Sequence, residues 1–352
     1  MKSWDAIVVG AGIIGLSLAI ELRKQGLRVL VVEKGEPGHE ASWAAGGMLV
    51  ECGMETPVAL QTLAAASAGM YSEFAHELED ESGLKIDLRS EGTLLFLESP
   101  PVRRLADAPS LPAPLHELEP SLRVTDHAPL FLQERSVDPR GLTTAAVAAA
   151  RHRGVDFSSG DRVLAVEVAD GRAAGVRTNK TRFSAGLVVN CAGAWAGQIE
   201  PHTFPTRPVK GQMLCVAMSE RNLLRHVIRT PEVYLIPRSD GRLLIGATVE
   251  EAGFDKQTVP ATIQKLRKAA LDLLPRLADA RTLEAWAGLR PGTPDALPIL
   301  GPTRTRGYFV ATGHFRDGIL LAPVTARVMG QLVAGQLPGF DLTPFSAGRF
   351  PN

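Results

Sequence analysis

Cysteine is scarce in this 352-residue chain: there are three, Cys52, Cys191 and Cys215, an odd number with no CxxC spacing. That excludes a disulfide framework and a cysteine-based zinc site, and it points to a reducing compartment, the cytoplasm. The eight histidines contain no HxxxH or HExxH pair, so no metal site is expected. An excess of charge of one sign is missing too, since 38 Lys+Arg balance 38 Asp+Glu. This excludes a broad basic surface for nucleic acid and a polybasic membrane anchor. It leaves room for a local cluster of arginines. Aromatic residues make up 5 % of the chain, three of them tyrosines, too few for platforms that stack bases. The uncharged run at residues 6–20 is bracketed by Asp5 and Glu21 and broken by three glycines. It is too short to span a bilayer and reads as structure, not as a signal peptide or a stable membrane insertion. What remains is a chain long enough for two domains, with 45 % hydrophobic residues to fill their cores.

That uncharged run carries the first positive signal. Residues 5–9 form a short apolar strand pattern, followed by Gly10-Ala11-Gly12-Ile13-Ile14-Gly15. An apolar helix then runs to about Gln25 and stops at Gly26, and residues 28–32 read as the next strand, closed by Glu33. This is a βαβ unit with a GxGxxG turn in its proper context. Gly10 permits the tight turn, Gly12 lets the backbone approach a pyrophosphate, and Gly15 lets the helix pack close to the strand. The first helical turn, with Ile13 and Ile14, offers free N–H groups to phosphates, and the Glu33 carboxylate is placed to accept from a ribose hydroxyl.

Beyond Lys34 comes a second small-residue loop, Glu40-Ala41-Ser42-Trp43-Ala44-Ala45-Gly46-Gly47-Met48, a second place for a long cofactor to lie against backbone. Residues 60–81 then read as helix, 83–97 as strand-like and 100–120 as a proline-rich loop. Val137-Asp138-Pro139 opens an alanine-rich helix over 142–151. Strand-like stretches at 163–168 and 175–178 precede a buried strand at 186–191 that breaks into Ala192-Gly193-Ala194-Trp195. Cys191 reads as a small core residue. Strands at 208–214 and 233–238, the hairpin signal Asp240-Gly241 and a strand at 242–247 describe antiparallel sheet, followed by a helix over 260–274. No internal repeat interrupts the pattern.

The last quarter places Arg290 in GLRPGTPD, among apolar and turn residues. An arginine there is either a structural cap or an anion ligand, since a planar guanidinium meets both oxygens of a carboxylate. A strand at 307–312 leads through Gly313-His314-Phe315-Arg316-Asp317-Gly318 into a helix from Ile319 and Leu320 to about Leu337. That is a second helix N-terminus favourable to negative charge. Tyr71 and Tyr308 fall in an amphipathic helix and a buried strand, where packing explains them. Tyr234 opens a strand of the antiparallel part, where a half-buried sheet tyrosine competes with a substrate ligand.

In this order, from Gly10 to about Leu337, the motifs resemble the FAD-dependent amino-acid oxidases of the D-amino-acid oxidase superfamily, and among them the glycine oxidases of thiamine biosynthesis. The resemblance implies an α/β fold with an α+β second lobe. A Rossmann-like FAD-binding domain (residues 1–84, 135–207 and 286–352) is interleaved with an antiparallel-sheet substrate domain (85–134 and 208–285). FAD is implied to be non-covalent, because no cysteine follows Cys215 where sarcosine oxidases attach flavin. Ser42 is implied near a phosphate, Ala45, Gly46, Gly47 and Met48 beside the flavin ring, and Val163 near the adenine. Ala192, Gly193 and Trp195 are implied against the dinucleotide, with Lys34 next to Glu33. Gly313, His314, Arg316, Asp317, Gly318, Ile319 and Leu320 are implied along the cofactor, His314 as a backbone-positioning group instead of a base.

On the substrate side, the resemblance makes Arg290 the carboxylate clamp, with Tyr234 hydrogen-bonding the same group and Arg316 helping to hold the substrate or packing over it. The implied reaction is oxidative deamination of a small amino acid, glycine first. Hydride passes from the α-carbon to flavin N5, water hydrolyses the imine, and dioxygen leaves as hydrogen peroxide. A thiazole synthase is the implied recipient of the imine. Two departures stand out: Glu232 occupies a position where glycine oxidases carry a histidine, and Val249 one where a methionine lines the pocket. They leave glycine, sarcosine and D-amino acids all open. A D-amino-acid or sarcosine oxidase or dehydrogenase, a non-catalytic FAD-binding subunit and an NAD-dependent dehydrogenase are the competing readings. Whether the chain forms a homo-oligomer is left open.

Overall fold

In the computed structural model, residues 3–51, 56–97, 111–123 and 129–350 are described; Cys52 and much of the proline-rich stretch lie outside them. The strand Ala6–Val9 pairs in parallel with Val29–Glu33 on one side and Leu187–Asn190 on the other. All four of its residues are buried, as a strand covered on both faces requires. The helix between the first two strands runs Ile13–Lys24, and the chain turns out of it at Gly26, φ +86°. Glycine takes that left-handed conformation without a Cβ clash.

These strands belong to a six-stranded sheet. Its spatial order is Ile299–Pro302, Tyr308–Thr312, Leu187–Asn190, Ala6–Val9, Val29–Glu33 and Asp156–Ser159. All neighbours are parallel except the edge strand Ile299–Pro302. Alternate residues of one strand face opposite cores. Ala6 and Val8 pack with the helices Ile13–Lys24, Val58–Ser82, Pro139–His152 and Gly318–Val333. Ile7 and Val9 pack instead with Val163, Val166, Ala173 and Val176 of a three-stranded sheet on the other face. Asp138 caps the Pro139–His152 helix by accepting from the Arg140 N–H, and Pro139 stands at the first helical position, where its missing donor costs nothing.

A seven-stranded sheet forms the second lobe. Its order is Arg281–Gly292, Arg207–Ala217, Arg242–Gly246, Tyr234–Pro237, Val227–Arg229, Thr93–Leu95 and Leu130–Leu132. Only Val227–Arg229 and Thr93–Leu95 pair in parallel. Leu214, Val216, Leu235, Leu243 and Ile245 pack against Leu266 and Ala270 of the helix Pro260–Leu273. The alternate residues Met213, Cys215, Ile236 and Leu244, with Tyr234 and Met48 against them, form a separate cluster on the opposite face.

Three stretches differ from expectation. Arg290, expected among apolar and turn residues, lies instead in a twelve-residue strand, Arg281–Gly292, paired along its length with Arg207–Ala217 and running through the boundary expected at residue 286. Its small residues and proline conceal a strand whose pairing comes from a distant segment. The 83–97 stretch yields only Leu88–Arg89 and Thr93–Leu95, broken near Gly92, φ +97°. The last long helix ends at Val333, with Gly335 at φ +73° turning the chain away before Leu337. Among the described residues no helix is long and apolar enough to cross a membrane.

Candidate active site

Residues of both lobes meet on one cavity of about 680 Å³. Part of its wall is the turn after the first strand, whose shape depends on absent side chains. Gly10 sits at φ +101°, and a Cβ there would lie 2.6 Å from the Cys191 carbonyl oxygen. A Cβ on Gly15 would lie 2.0 Å from the Gly10 carbonyl oxygen, so helix and strand approach as closely as glycine allows. Gly12 is the N-cap of the Ile13–Lys24 helix and brings no side chain to its first-turn N–H groups. The Ile13 N–H donates instead to Ser42 Oγ at 2.9 Å.

Glu33 is buried, and its two oxygens accept from the N–H groups of Ala11 (2.8 Å) and Gly35 (2.9 Å). Each oxygen keeps a second acceptor site. Lys34 pairs with Glu40 at 2.8 Å and places its Nζ 3.3 Å from the centre of the Trp195 ring. Gly10, Gly12, Ile13, Ile14, Glu33, Lys34 and Ser42 all reach the wall, and so do Val163, Ala192, Gly193 and Trp195. Gly15 does not; it serves the packing behind the turn.

The second small-residue loop also lines the cavity, through Ala45, Gly46, Gly47 and Met48. It is closed in from behind. A Cβ on Gly47, φ +76°, would meet the Val137 carbonyl oxygen at 2.0 Å, and one on Gly46 would meet Ile236 Cδ1 at 2.8 Å. The Gly46 carbonyl accepts from Arg238 Nη2 at 2.5 Å. Arg238 is fully buried, its Nε and Nη1 make no hydrogen bond, and burial pushes its pKa down to about 10 against the opposing pull of Asp138 and Asp87.

From the last strand the chain passes Gly313, φ +75°, where a Cβ would lie 2.5 Å from Thr293 Cγ2. The Phe315 N–H donates to the Pro291 carbonyl at 3.0 Å, tying this turn to the strand that carries Arg290. His314, Arg316, Asp317, Gly318 and Ile319 line the cavity. Gly313 shapes the turn from behind the wall. Leu320, expected beside the cofactor, is a core residue instead: it is buried among the helices, and its carbonyl accepts from Ser67 Oγ at 2.6 Å. His314 is buried with Nε2 3.1 Å from Thr325 Oγ1, and burial pushes its pKa down to about 3, so the ring is neutral.

Arg290, Tyr234 and Arg316 share this same cavity. Arg290 pairs with Val209 across the sheet, and its guanidinium leans over the diagonal neighbour Gly211. A Cβ on Gly211 would stand 2.3 Å from Arg290 Nη1, which donates to the Thr248 carbonyl at 3.1 Å. Tyr234 pairs with Gly246, where a Cβ would stand 2.9 Å from the phenol ring and from Met213 Cγ. Burial raises the Tyr234 pKa; Arg290 draws it back most, through charge and a hydrogen bond, followed by Arg316 and Arg229. The phenol thus stays protonated among guanidinium groups, an arrangement suited to a carboxylate.

Of the two departures, Glu232 is exposed and accepts from Thr230 Oγ1 at 3.0 Å, off the cavity wall, while Val249 lines it. Gly211, Met213, Ala247 and Arg229 also line the cavity and were not expected there. For Gly211 a signal existed: glycine inside a strand marks close approach of another group.

Residues 5–332 match the family described as FAD dependent oxidoreductase, DAO. A glycine oxidase of Pseudomonas aeruginosa is 34 % identical over 97 % of this chain and 98 % of its own. A bifunctional protein ThiO/ThiG of Trichormus variabilis is 34 % identical over 98 % of this chain, which spans 55 % of that relative's length. The hydrogen cyanide synthase subunit HcnC of Pseudomonas aeruginosa is 31 % identical over 99 % of this chain and 97 % of its own. Among solved structures, glycine oxidase from Geobacillus kaustophilus superposes with a TM-score of 0.93 at 30 % identity, covering all of both chains.

Proposed function

Because the chain belongs to the FAD dependent oxidoreductase (DAO) family and is an FAD-dependent amino-acid oxidase, we propose that its substrate is a small amino acid, glycine in first place. The reaction assigned is glycine, dioxygen and water to glyoxylate, ammonia and hydrogen peroxide. The observation that carries this reading is the meeting of Arg290 and Tyr234 on the cavity that the glycine-rich turn also lines.

The residues present fit FAD. Glycines 10 and 15 leave no space for a side chain, and Gly12, the N-cap of the helix that follows, brings no side chain to its first turn. Ser42 Oγ accepts at Ile13 N–H, where an oxygen of the pyrophosphate would be stabilised by the same helix N-terminus. We assign Glu33 to the ribose, Val163 to the adenine, and Ala192, Gly193, Trp195 and Lys34 to the dinucleotide. Ala45 to Met48 and His314 to Ile319 go to the flavin ring. The start of the Gly318–Val333 helix favours negative charge on that ring. When bound, FAD supplies a two-electron acceptor that dioxygen restores.

The chain's own groups bind and orient. Arg290 takes the α-carboxylate with one edge of its guanidinium, while Thr248 anchors Nη1 and Gly211 leaves the space. Tyr234 remains protonated and donates to the same carboxylate. Arg316 is exposed and lines the same cavity, and we assign it to help hold the substrate. Holding the α-carbon in one place against the acceptor supplies much of the acceleration. The substrate enters as the neutral amine, so no side chain is required to remove a proton from carbon.

Similarity to the ThiO/ThiG protein supports a thiazole synthase as recipient of the imine. Similarity to HcnC supports a second reading, a subunit of a hydrogen cyanide synthase. One experiment separates these. The purified flavoprotein is mixed without oxygen with glycine, sarcosine, D-alanine or D-proline, and the flavin absorbance is followed. Bleaching by glycine, or by sarcosine with it, supports the proposal, and bleaching mainly by D-alanine moves the enzyme to the D-amino-acid oxidases. Flavin that stays oxidised with all four refutes a small-amino-acid substrate. Glyoxylate and ammonia as products, against cyanide, decide between the two relatives' reactions.

A further inference from the structure

Next to the anchor of Arg290 the sheet makes only part of its ladder. Past the Arg242–Gly246 strand the chain stays alongside Arg207–Ala217, where Lys210 and Glu250 exchange both backbone hydrogen bonds at 2.9 Å. In an antiparallel ladder the next pair to do so lies two residues along, here Gln212 with Thr248. Only half of that exchange is present. The Thr248 N–H donates to the Gln212 carbonyl at 3.3 Å, but the Gln212 N–H donates to Thr248 Oγ1 at 2.9 Å. The hydroxyl thus stands in for the Thr248 carbonyl, and the carbonyl accepts from Arg290 Nη1 at 3.1 Å instead. Beyond this point the register slips by one residue, with Gly246 opposite Met213. Bulges of this kind re-aim groups beside a site.

The hydroxyl is held in that role. Because Oγ1 accepts from the Gln212 N–H, its single proton is free to go to Glu250 Oε1, which accepts it. Gln212 Nε2 donates to the two Glu250 oxygens at 2.9 and 3.2 Å, and Gln212 Oε1 accepts from the Val259 N–H at 2.7 Å. Gln212 is fully buried, so its amide places the carboxylate from a fixed side. Without the hydroxyl, the Gln212 N–H would lack an acceptor inside the protein, a state relieved by drawing the Thr248 carbonyl back into the ladder. Arg290 would then compete for its own anchor.

We propose that the Thr248 hydroxyl, oriented by Glu250 and Gln212, positions Arg290 for the substrate carboxylate by keeping the Thr248 carbonyl out of the sheet ladder. The inference rests on the proposed function and deepens it. All three are positioning residues, which act through Arg290.

The test uses the FAD-loaded enzyme. Acetate, which is not oxidised, is titrated against the flavin absorbance, and glycine turnover is followed by hydrogen peroxide formation. Thr248→Val and Glu250→Ala should each raise the acetate Kd and the glycine KM about 3- to 10-fold, the size of one hydrogen bond, with kcat within about twofold. Thr248→Ser, which keeps the hydroxyl, should bind acetate at least about threefold more tightly than Thr248→Val. Gln212→Glu sets two carboxylates against each other and should weaken acetate binding; adding Glu250→Gln restores a donor–acceptor pair and should recover it. If Gln212→Glu does not retain FAD, the serine and valine variants carry the same comparison. In an Arg290→Ala background, Thr248→Val should change the glycine kcat/KM by no more than about twofold.

Equal acetate affinities in the serine and valine variants overturn the proposal. So does an effect of Thr248→Val that persists in full without Arg290, because the hydroxyl then acts by another route. A wild-type flavin that neither responds to acetate nor is reduced by any small amino acid refutes the underlying substrate reading instead.

Discussion

Replacing Gly211 with alanine tests the proposed substrate clamp without altering any group assigned to it. Gly211 lies within the Arg207–Ala217 strand opposite Gly288, and its φ is not in the left-handed region, so the backbone accepts alanine. The new Cβ would lie 2.3 Å from Arg290 Nη1, 2.5 Å from Nη2 and 2.6 Å from Cζ. Ordinary carbon contacts are about 3.5–4.0 Å, so the guanidinium must retreat by about 1 Å or more. It is the end of a flexible side chain, and stability should change by no more than about 1 kcal/mol. The retreat breaks the contact with Thr248 and with a carboxylate. Hydrogen bonds to charged groups contribute about 1.5–3 kcal/mol, and a factor of ten is about 1.4 kcal/mol. Initial rates of hydrogen peroxide formation with glycine should therefore give a kcat/KM lowered about 10- to 150-fold, with FAD content and urea midpoint near those of the wild type. Because the alanine acts only through the guanidinium, Gly211→Ala should add little in an Arg290→Ala background. A wild-type kcat/KM in Gly211→Ala, or single effects that multiply in the double variant, would refute the clamp.

Other outcomes follow from the same geometry. Tyr234→Phe removes one donor to the charged carboxylate and should lower kcat/KM about 10- to 150-fold while FAD stays bound; an unchanged kcat/KM places the phenol outside the site. Gly15→Ala forces the helix away from the Gly10 carbonyl and should cost about 1–3 kcal/mol in a urea melt, with FAD lost on gel filtration. Retention of full FAD would contradict it. His314 is neutral when folded, its pKa pushed down to about 3, whereas an unfolded histidine protonates near pH 6.5. Between these values the unfolded chain binds more protons. Stability should therefore fall as pH drops below 6.5, by up to about 1.4 kcal/mol per unit. His314→Gln should flatten the dependence of the urea midpoint between pH 7 and 5; parallel curves would show that another group is responsible.

The parts of the site that could be read along the chain are those whose constraint is local. Gly10, Gly12 and Gly15 were legible because a strand, a tight turn and a helix follow one another there, and only glycine leaves room for them. The hairpin at Asp240-Gly241 and the helix opened by Val137-Asp138-Pro139 were legible for the same reason. Leu320 was misread because a strand–turn–helix pattern says which segment approaches a cofactor but not which side of the helix faces it. Ile319 reaches the wall and its neighbour points into the core. The strand around Arg290 was hidden by its glycines and proline, which are tolerated because Arg207–Ala217 pairs with it throughout. Arg238, buried against the Gly46 carbonyl, carries no local mark at all.

Sequence alone thus dictates a glycine turn, a helix N-terminus and an acidic strand end, together a place for a dinucleotide, because each depends on backbone shape over a few residues. Which of the 38 basic residues surround one phenol is a matter of strand register. Tyr234 stands between Arg229 and Gly246, and Arg290 leans from Val209 over Gly211, through pairings between segments far apart in the chain. Register is set by which faces of the two sheets are buried against their cores, so the charge and spacing of the substrate end emerge when the lobes pack.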